Sequence, residues 1–182
     1  MIRAAAANGI DTIFGLPGAQ IYPMFDAIYR DTGIREVISR HEQGAGYMAL
    51  GYGQATGKPA AFAVVPGPGL LNAGAALCTA DGTNTPVLCL TGQVMSAFLG
   101  KGRGHLHELR DQQGFLRSII KHVDHIADPT NTSAQVNEAF RQMLSGRPGP
   151  ASFSWHPSWK TAKGPTRKGW TGSGRKASAG CA

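Results

Sequence analysis

Hydrophobic residues follow two different spacings along the first 150 residues of the chain. Continuous apolar runs at 60–65 and 86–90 predict strands that are buried on both faces of a sheet. Apolar residues at intervals of three and four, such as Ile21, Met24 and Phe25, predict helices instead. The predicted strands are 11–14, 35–39, 60–65, 86–90, 118–121 and 151–153. The predicted helices are 3–7, 21–28, 42–56, 70–80, 111–117 and 136–143.

The alternation of strands and helices, joined by short links, is typical of parallel βαβ units. The sequence therefore predicts an α/β fold with a doubly wound, mainly parallel sheet and helices on both faces. Ligands of such sheets bind at the carboxyl ends of the strands. The loops that follow residues 14, 39, 65 and 90 are accordingly the places where a site is expected.

Charge divides the chain into two regions. The 182 residues carry a formal net charge of +7, yet all 11 acidic residues lie within 1–150. We expect one folded domain at 1–153 and a basic, low-complexity tail at 154–182. Two interpretations of the tail stay open: a disordered segment that binds polyanions, or a non-native end such as translation in a shifted frame. Because the body is almost neutral, nucleic-acid binding by the body is not expected.

Cysteine use and hydropathy indicate a cytoplasmic protein. Cys78, Cys89 and Cys181 match no metal-ligand spacing, and the first two lie in apolar stretches that predict core positions. Prolines interrupt the longest apolar region, 60–80, so no membrane span is expected. The first residues lack the apolar stretch of a signal peptide, and the helix predicted at 3–7 begins so early that a turn or two is expected upstream.

Glycine-rich turns raise the possibility of nucleotide binding. Residues 53–59 fail the phosphate-loop pattern, because a proline stands where the hydroxyl residue is needed. Residues 44–49 match the G-x-G-x-x-G/A dinucleotide pattern, but no acidic residue follows about twenty positions later. A nucleotide-dependent oxidoreductase built on 44–49 is thus a weak alternative, which titration with NAD would test.

Glu42 stands out because it begins a predicted helix at the sheet edge where ligands bind. An acidic residue is also favoured in a first helical turn by the helix dipole, so its position alone does not decide its role. The helix that follows is rich in glycine and alanine, including Gly44, Gly46, Gly51 and Gly53. Glycine costs a helix about 1 kcal/mol relative to alanine. We therefore expect a neighbouring helix or a ligand to approach this helix closely.

Four motifs, each directly after a predicted strand, decide between these possibilities. They are Gly15-Leu16-Pro17-Gly18, Arg40-His41-Glu42-Gln43-Gly44-Ala45, Pro66-Gly67-Pro68-Gly69-Leu70-Leu71-Asn72 and Leu90-Thr91-Gly92-Gln93-Val94. Together they resemble the N-terminal pyrimidine-binding domain of thiamine diphosphate enzymes, most closely the acetolactate synthase and 2-oxo acid decarboxylase group. The resemblance covers about residues 2–153 and implies the thiamine diphosphate-binding fold.

The resemblance implies catalytic roles for Glu42 and Gln93. In that family, a glutamate at this motif hydrogen-bonds N1′ of the cofactor's aminopyrimidine and favours the imino tautomer, whose 4′ nitrogen removes a proton from the thiazolium ring. The activated cofactor then attacks a 2-oxo acid. Gln93 matches a position that faces the substrate in acetolactate synthases, although a polar residue at a strand end has a simpler structural explanation.

The same resemblance assigns cofactor-binding roles to two loops. Pro17, Gly18, Ala19 and Gln20 should border the thiazolium and the substrate, and Pro66, Gly67 and Asn72 should lie near the pyrimidine. Both loops are equally compatible with simple turns. His105 and His107 have the i, i+2 spacing of metal ligands, but no clear third ligand accompanies them, and no metal site is predicted. The loop after Val94 differs from that of well-known acetolactate synthases, so FAD is possible but unsupported.

The sequence lacks the GDG…NN motif with which the family holds the diphosphate through Mg²⁺. The chain is therefore expected to be an incomplete enzyme that works with a diphosphate-binding domain or subunit, in a homo- or hetero-oligomer such as a dimer. Ligation and decarboxylation of a 2-oxo acid both remain open. The alternative is a non-catalytic α/β binding module whose basic tail binds an anionic partner.

Overall fold

A computed structural model describes residues 1–31 and 33–156 of the chain. Within them, six strands form one sheet in the order β2-β1-β3-β4-β6-β5, and every neighbouring pair is parallel. The strands are β1 (Thr12–Gly15), β2 (Arg35–Ile38), β3 (Ala60–Val64), β4 (Val87–Gly92), β5 (His122–Ile126) and β6 (Ala151–Trp155). The predicted α/β fold with a doubly wound parallel sheet is confirmed.

Helices alternate with the strands, as the hydrophobic spacing predicted. They are α1 (Ile2–Ala7), α2 (Tyr22–Asp31), α3 (Glu42–Thr56), α4 (Pro68–Gly82), α5 (Gln112–Arg117) and α6 (Thr132–Leu144). A short 3-10 turn, Pro129–Asn131, precedes α6. In the described part of the chain, none of these helices has both the length and the apolar character needed to cross a bilayer.

The prediction of a strand at 118–121 is wrong. The backbone N–H groups of Ile119 and Ile120 both donate to the carbonyl of Leu116, so the chain continues α5 as a tight turn. The strand β5 begins only at His122. Two adjacent apolar residues, Ile119 and Ile120, fit a helical end as well as a short strand, and the packing of Ile120 in the core on the α5 side of the sheet accompanies the helical turn.

Two hydrophobic cores lie on opposite faces of the sheet. One contains residues of α1, α2 and α6, and the other contains residues of α3, α4 and α5. Successive strand residues point to opposite cores: Ala61 and Ala63 belong to the first, whereas Phe62 and Val64 belong to the second. This arrangement explains why β3 and β4 are apolar at nearly every position and are fully buried.

The two cysteines within the described residues differ in environment. Cys89 lies on β4 and is buried, and burial raises the pKa of its thiol to about 12. Cys78 is exposed on α4, so its predicted core position is wrong. It follows Leu77, which is buried, and one step along a helix is enough to turn a side chain from the core to the surface.

The predicted domain boundary at residue 153 falls within β6, which continues to Trp155. The strand pairs with β4 on one side and β5 on the other through its last residue. The remainder of the predicted basic tail, 157–182, lies outside the described residues.

Candidate functional site

The strand order places a change of direction between β1 and β3. From β1 the chain first moves outward to β2 and then returns to the other side of β1 to form β3. The loops that leave the carboxyl ends of β1 and β3 therefore separate to opposite faces and leave a crevice, which is where open α/β sheets bind ligands. The two loops still approach each other locally, at the side of the crevice nearest the sheet, because a Cβ atom on Gly18 would overlap a methyl carbon of Val65.

Glu42 lies beside this crevice, at the first residue of α3. His41 caps the helix, its Nδ1 atom accepting the backbone N–H of Gln43 at 3.2 Å. Glu42 is half-buried, and its Oε2 atom accepts a hydrogen bond of 3.0 Å from the side-chain amide of Asn72 on α4. The structure thus joins two predicted site residues that are thirty positions apart in sequence.

The backbone of Gly69 lies directly beside the Glu42 carboxylate. A Cβ atom at Gly69 would lie 3.4 Å from Oε1 of Glu42 and 2.5 Å from a methyl carbon of Val65. The glycine therefore allows the first turn of α4 to lie directly beside Glu42. One carboxylate oxygen is engaged by Asn72, and no hydrogen bond to a described residue is made by Oε1.

The glycines of α3 divide between two faces. A Cβ atom on Gly46 would lie 2.7 Å from the Cβ atom of Ala76, so this glycine allows α3 and α4 to pack closely. Gly44 and Gly51 have no neighbouring atom within 4 Å of that position, and this face of the helix is open. The expected close approach to α3 is thus confirmed for Gly46.

Because Gly44 and Gly46 lie inside a helix, they do not form the strand-to-helix turn that a dinucleotide fingerprint requires.

The third loop reaches the same edge from β4. Gln93 is buried, and its Oε1 atom accepts the backbone N–H of Val94 at 2.8 Å. A Cβ atom on the preceding residue, Gly92, would lie 2.9 Å from the Cβ atom of Gln20. The loop after β1 therefore also touches the end of β4, and the predicted residues Gln20 and Gln93 lie at one edge of the sheet.

Two residues of this edge were not predicted as part of the site. Gln112 is buried, accepts the N–H of Gly67 at 3.3 Å and donates to the carbonyl of Gly92 at 3.1 Å. His107 pairs with Gln20, its Nδ1 atom lying 2.7 Å from Oε1 of the glutamine. No spacing in the sequence distinguishes a glutamine that bridges two loops from one on the surface, whereas His107 belongs to a segment already noted for its histidines.

The described residues carry all four motifs on adjacent loops of one parallel sheet. Residues 1–115 match the family model described as "Thiamine pyrophosphate enzyme, N-terminal TPP binding domain". The chain belongs to this thiamine pyrophosphate enzyme family. Membership explains why Glu42 and the loops after β1, β3 and β4 come together, and it implies thiamine diphosphate as the family's cofactor.

Curated relatives place this family member near two groups of enzymes. It is 36% identical over 154 residues to a probable 2-ketoarginine decarboxylase of Pseudomonas aeruginosa, covering 85% of this chain and 27% of the relative. It is 34% identical over 150 residues to the acetolactate synthase large subunit of Corynebacterium glutamicum, covering 82% and 24%. It is 39% identical over 146 residues to acetolactate synthase isozyme 1 large subunit of Escherichia coli, covering 79% and 25%. The chain spans about a quarter of the length of these relatives.

In this member of the family, the segment with His105 and Glu108 is held by its own backbone. The Glu108 carboxylate accepts the N–H groups of Gly102 and His105 at 3.0 and 2.9 Å. The N–H of His105 lowers the pKa of Glu108 more than any other neighbour does. Among residues 1–31 and 33–156, no three histidine, cysteine or acidic side chains are grouped so that they could hold a metal ion.

His125 links the last two strands of the thiamine pyrophosphate-binding domain to the loop after β4. Its Nδ1 atom lies 2.9 Å from Oγ of Ser154, and its Nε2 atom lies 2.9 Å from Nε2 of His156. His156 in turn bonds the carbonyl of Val94 through Nδ1 at 2.9 Å. Burial, and then the neighbouring His156, lower the pKa of His125. Through His156, these contacts connect Val94, the residue after Gln93, to β5 at the edge of the sheet.

A shallow cleft at the amino ends of the strands is separate from this site. Its basic side chains are already engaged: Lys121 donates to the carbonyls of Ser145 and Arg147, and Arg147 donates to Asn84. Ligands of doubly wound sheets bind at the opposite edge. The site of this family member is therefore assigned to the carboxyl edge.

We expect replacement of Gln112 by leucine to destabilise the domain by about 2 kcal/mol. The substitution leaves the buried N–H of Gly67 without its partner, and an unpaired buried polar group costs about 1–3 kcal/mol. It also removes one hydrogen bond from the carbonyl of Gly92, to which the hydroxyl of Thr91 still donates at 3.4 Å. Urea unfolding followed by circular dichroism measures the change. The matched control is Gln113→Leu, because among the described residues the side chain of Gln113 bonds the exposed Arg117 alone. Equal effects of the two substitutions would contradict the bridging role of Gln112.

Proposed function

We propose that this chain is the pyrimidine-binding half of a thiamine diphosphate enzyme that acts on 2-oxo acids. The observation that carries the proposal is the Glu42 carboxylate, fixed by Asn72 and lying against Gly69 at the switch point of the sheet. The relatives' names, acetolactate synthase and probable 2-ketoarginine decarboxylase, support a 2-oxo acid as substrate.

The residues present fit the aminopyrimidine. Oε1 of Glu42 is left to accept a ring N–H, while the hydrogen bond from Asn72 fixes the orientation of the carboxylate. Gly69 supplies no side chain that would fill the space beside Oε1. When bound, thiamine diphosphate supplies the carbon that attacks a keto carbonyl and accepts the electrons released when a carbon–carbon bond breaks.

The chain's own residues would perform three tasks around that chemistry. Glu42 binds the pyrimidine and stabilises the proton on its ring nitrogen. The loop with Pro17, Gly18 and Ala19 forms the opposite wall of the crevice. Gln93 and Gln20 lie at the substrate side of the same edge. Pro66 and Gly67 form the turn that begins α4 and complete the wall next to Asn72.

We further propose that the diphosphate and its Mg²⁺ are held by a separate domain or subunit. The chain spans about a quarter of the length of its relatives, and the GDG…NN motif does not occur in its sequence. Tyr47 is 41% exposed and, three residues from Gly44 and four from Gly51, lies on the open glycine face of α3. Leu71 on the neighbouring helix α4 is 45% exposed. This face is where the partner is expected to pack and exclude water from Glu42, since exposed apolar side chains beside a ligand site favour an interface.

The proposal is tested by titrating the isotopically labelled full chain with thiamine and with thiamine diphosphate plus Mg²⁺. We expect both ligands to perturb the amide signals of residues 42, 69 and 72 with similar, weak affinity, because the chain binds the ring and not the diphosphate. A much tighter complex with the diphosphate and Mg²⁺, or turnover of pyruvate by the chain alone, would show that the domain is complete. Perturbation at none of the three residues would refute the pyrimidine site.

A further inference from the structure

A continuous series of hydrogen bonds joins the carboxyl ends of β5 and β6 to the loop after β4. The two ring nitrogens of His125 lie 2.9 Å from Oγ of Ser154 and 2.9 Å from Nε2 of His156. The Nδ1 atom of His156 lies 2.9 Å from the carbonyl oxygen of Val94. Ser154 and His156 are 1% and 6% exposed, so water has little access to replace these bonds. Together the three side chains and the Val94 carbonyl form what we call the histidine chain.

The direction of each proton in the neutral histidine chain follows from its last member. A carbonyl oxygen only accepts, so Nδ1 of His156 carries a proton and Nε2 of the neutral ring is an acceptor. Nε2 of His125 must then donate to it, which leaves Nδ1 of the neutral His125 ring to accept the hydroxyl of Ser154. Each neutral histidine is therefore restricted to one tautomer.

The two facing Nε2 atoms have room for one proton between them. When one ring gains a proton, the hydroxyl of Ser154 turns to accept from Nδ1–H of His125, and one N–H···N bond between the rings is kept. When both rings are charged, each Nε2 carries a proton and the two N–H groups point at one another. Two positive rings whose centroids are 4.6 Å apart also repel. The histidine chain therefore tolerates one added proton and not a second.

The histidine chain ends on the residue that orients Gln93. Both polar atoms of the Val94 backbone are bonded, since its N–H donates to Oε1 of Gln93 at 2.8 Å and its carbonyl accepts from His156. Residues 95–111 follow, and the structure, which describes all of them, shows no helix or strand there. His156 thus attaches the beginning of a long irregular loop to the sheet, beside a predicted site residue.

Two charged groups act on His125. Asp124 favours its protonation, although the oxygens of this carboxylate already accept the N–H of His125 and the side-chain amide of Gln135. Burial and the neighbouring His156 oppose it, and their combined effect is larger, so the pKa of His125 is lowered. The pair is accordingly neutral when the surroundings are neutral.

The other titratable groups on the elements packed around the pair act elsewhere. Arg117 of α5 bonds Gln113, and on α6 Glu138 pairs with Arg141. His122 of β5 acts on Glu138. The loop after Val94 carries Lys101, Arg103, His105, His107, Glu108, Arg110 and Asp111. Arg40 and Glu42 follow β2, which is at the opposite end of the strand order from β5. In the described part of the chain, none of these groups shifts the pKa of His125.

We propose that the histidine chain is an acid-sensitive latch, which fixes the loop after β4 while the two rings share at most one added proton and releases it when both are charged. Released rings meet water and recover the ordinary histidine pKa of about 6.5. Opening thus takes up a proton, and it becomes more favourable as the pH falls below that value. Release frees Val94 and with it the side chain of Gln93. The latch itself does not depend on the proposed function, because no bound molecule takes part in it.

The test follows the full chain from about pH 8 to about pH 5 at constant ionic strength, by nitrogen-15 NMR of the histidine rings and by hydrogen exchange of the Val94 amide. At the upper pH, we expect the proton of His156 on Nδ1 and that of His125 on Nε2. After correction for the intrinsic exchange rate, opening at Val94 should become up to about tenfold more frequent for each pH unit below about 6.5, because one further proton is taken up. Exchange at Phe62, in the buried strand β3, should change less.

Three variants separate the latch from a merely structural contact. In His156→Asn, the side-chain amide has a donor where Nδ1 of histidine stands and does not titrate, so Val94 should stay protected and the pH dependence should be lost. His125→Gln replaces the other ring with an amide that donates or accepts without charge, and it should lose the dependence too. His122→Asn, on the same strand, is the matched control and should retain it.

The outcomes are distinct from those of the thiamine titration. Exchange at Val94 that does not respond to acid, an equal response at Phe62, or an unchanged response in both His156→Asn and His125→Gln would overturn the latch. A neutral His156 ring with its proton on Nε2 would overturn the direction of the histidine chain. Perturbation of residues 42, 69 and 72 by thiamine tests the proposed function alone, so either proposal fails without the other.

Discussion

Replacing Glu42 by glutamine is expected to weaken thiamine binding by about ten- to a hundred-fold without unfolding the domain. A hydrogen bond to a charged group contributes about 1.5–3 kcal/mol, which corresponds to this range of affinity. The amide oxygen of glutamine can still accept the hydrogen bond from Asn72, so the local structure should persist. The amide end has no negative charge with which to favour a protonated ring nitrogen, and this difference is what the experiment isolates.

The measurement is the titration with thiamine, followed at the amide signals of residues 69 and 72 in the full chain. Glu36→Gln serves as the matched control, because Glu36 is, like Glu42, a half-buried acid, but it lies on strand β2. Burial raises the pKa of Glu36, so its neutralisation should cost little stability. An undiminished affinity in Glu42→Gln, or an equal loss in Glu36→Gln, would contradict the role of Glu42.

Replacing Gly67 by alanine is expected to destabilise the domain by about 3 kcal/mol. Gly67 has φ +60° and ψ −119°, a conformation that is nearly restricted to glycine and costs other residues about 1–3 kcal/mol. The new Cβ atom would also lie 2.5 Å from the carbonyl oxygen of His107, and backbone atoms cannot move aside as a flexible side chain can. Overpacking of this kind adds about 1–3 kcal/mol.

Urea unfolding measures this prediction, and Gly44→Ala is its matched control. Gly44 lies within α3, and no atom is found within 4 Å of the position where its Cβ would be. Alanine should therefore stabilise that helix by up to about 1 kcal/mol. Opposite signs for the same chemical change at the two positions are the expected result. A neutral Gly67→Ala would show that the turn and the His107 segment are not locked together.

The sequence was sufficient for the fold class and for most of the elements. Residues 60–65 and 86–90 are apolar without alternation, which requires burial on two faces and so predicts a parallel sheet between two helical layers. The order of the four motifs after successive strands was sufficient to predict the family, which residues 1–115 confirm. Glu42 could be selected because a resemblance across four loops is more specific than any single glycine pattern.

Local patterns failed where the outcome depends on neighbours that are distant in sequence. Residues 118–121 were predicted as a strand, but the carbonyl of Leu116 accepts hydrogen bonds from the N–H groups of Ile119 and Ile120, which extends a helical turn. Cys78 was assigned to the core from an apolar stretch, although the face of α4 that packs on the sheet excludes it. Periodicity indicates that one side of a helix is buried, but not where the boundary falls along its circumference.

By itself, the sequence determined a parallel α/β domain, its family and the position of Glu42 at the start of a helix, because these depend on spacing along the chain. Only the tertiary structure decided that Asn72 bonds Glu42, that Gln112 joins the turns after β3 and β4, and that His107 is fixed by Gln20. The strand order brings these loops to one edge, and hydrogen bonds across 20 to 87 residues then select the partners. Such pairings depend on distances between folded loops, which no local pattern of residues encodes.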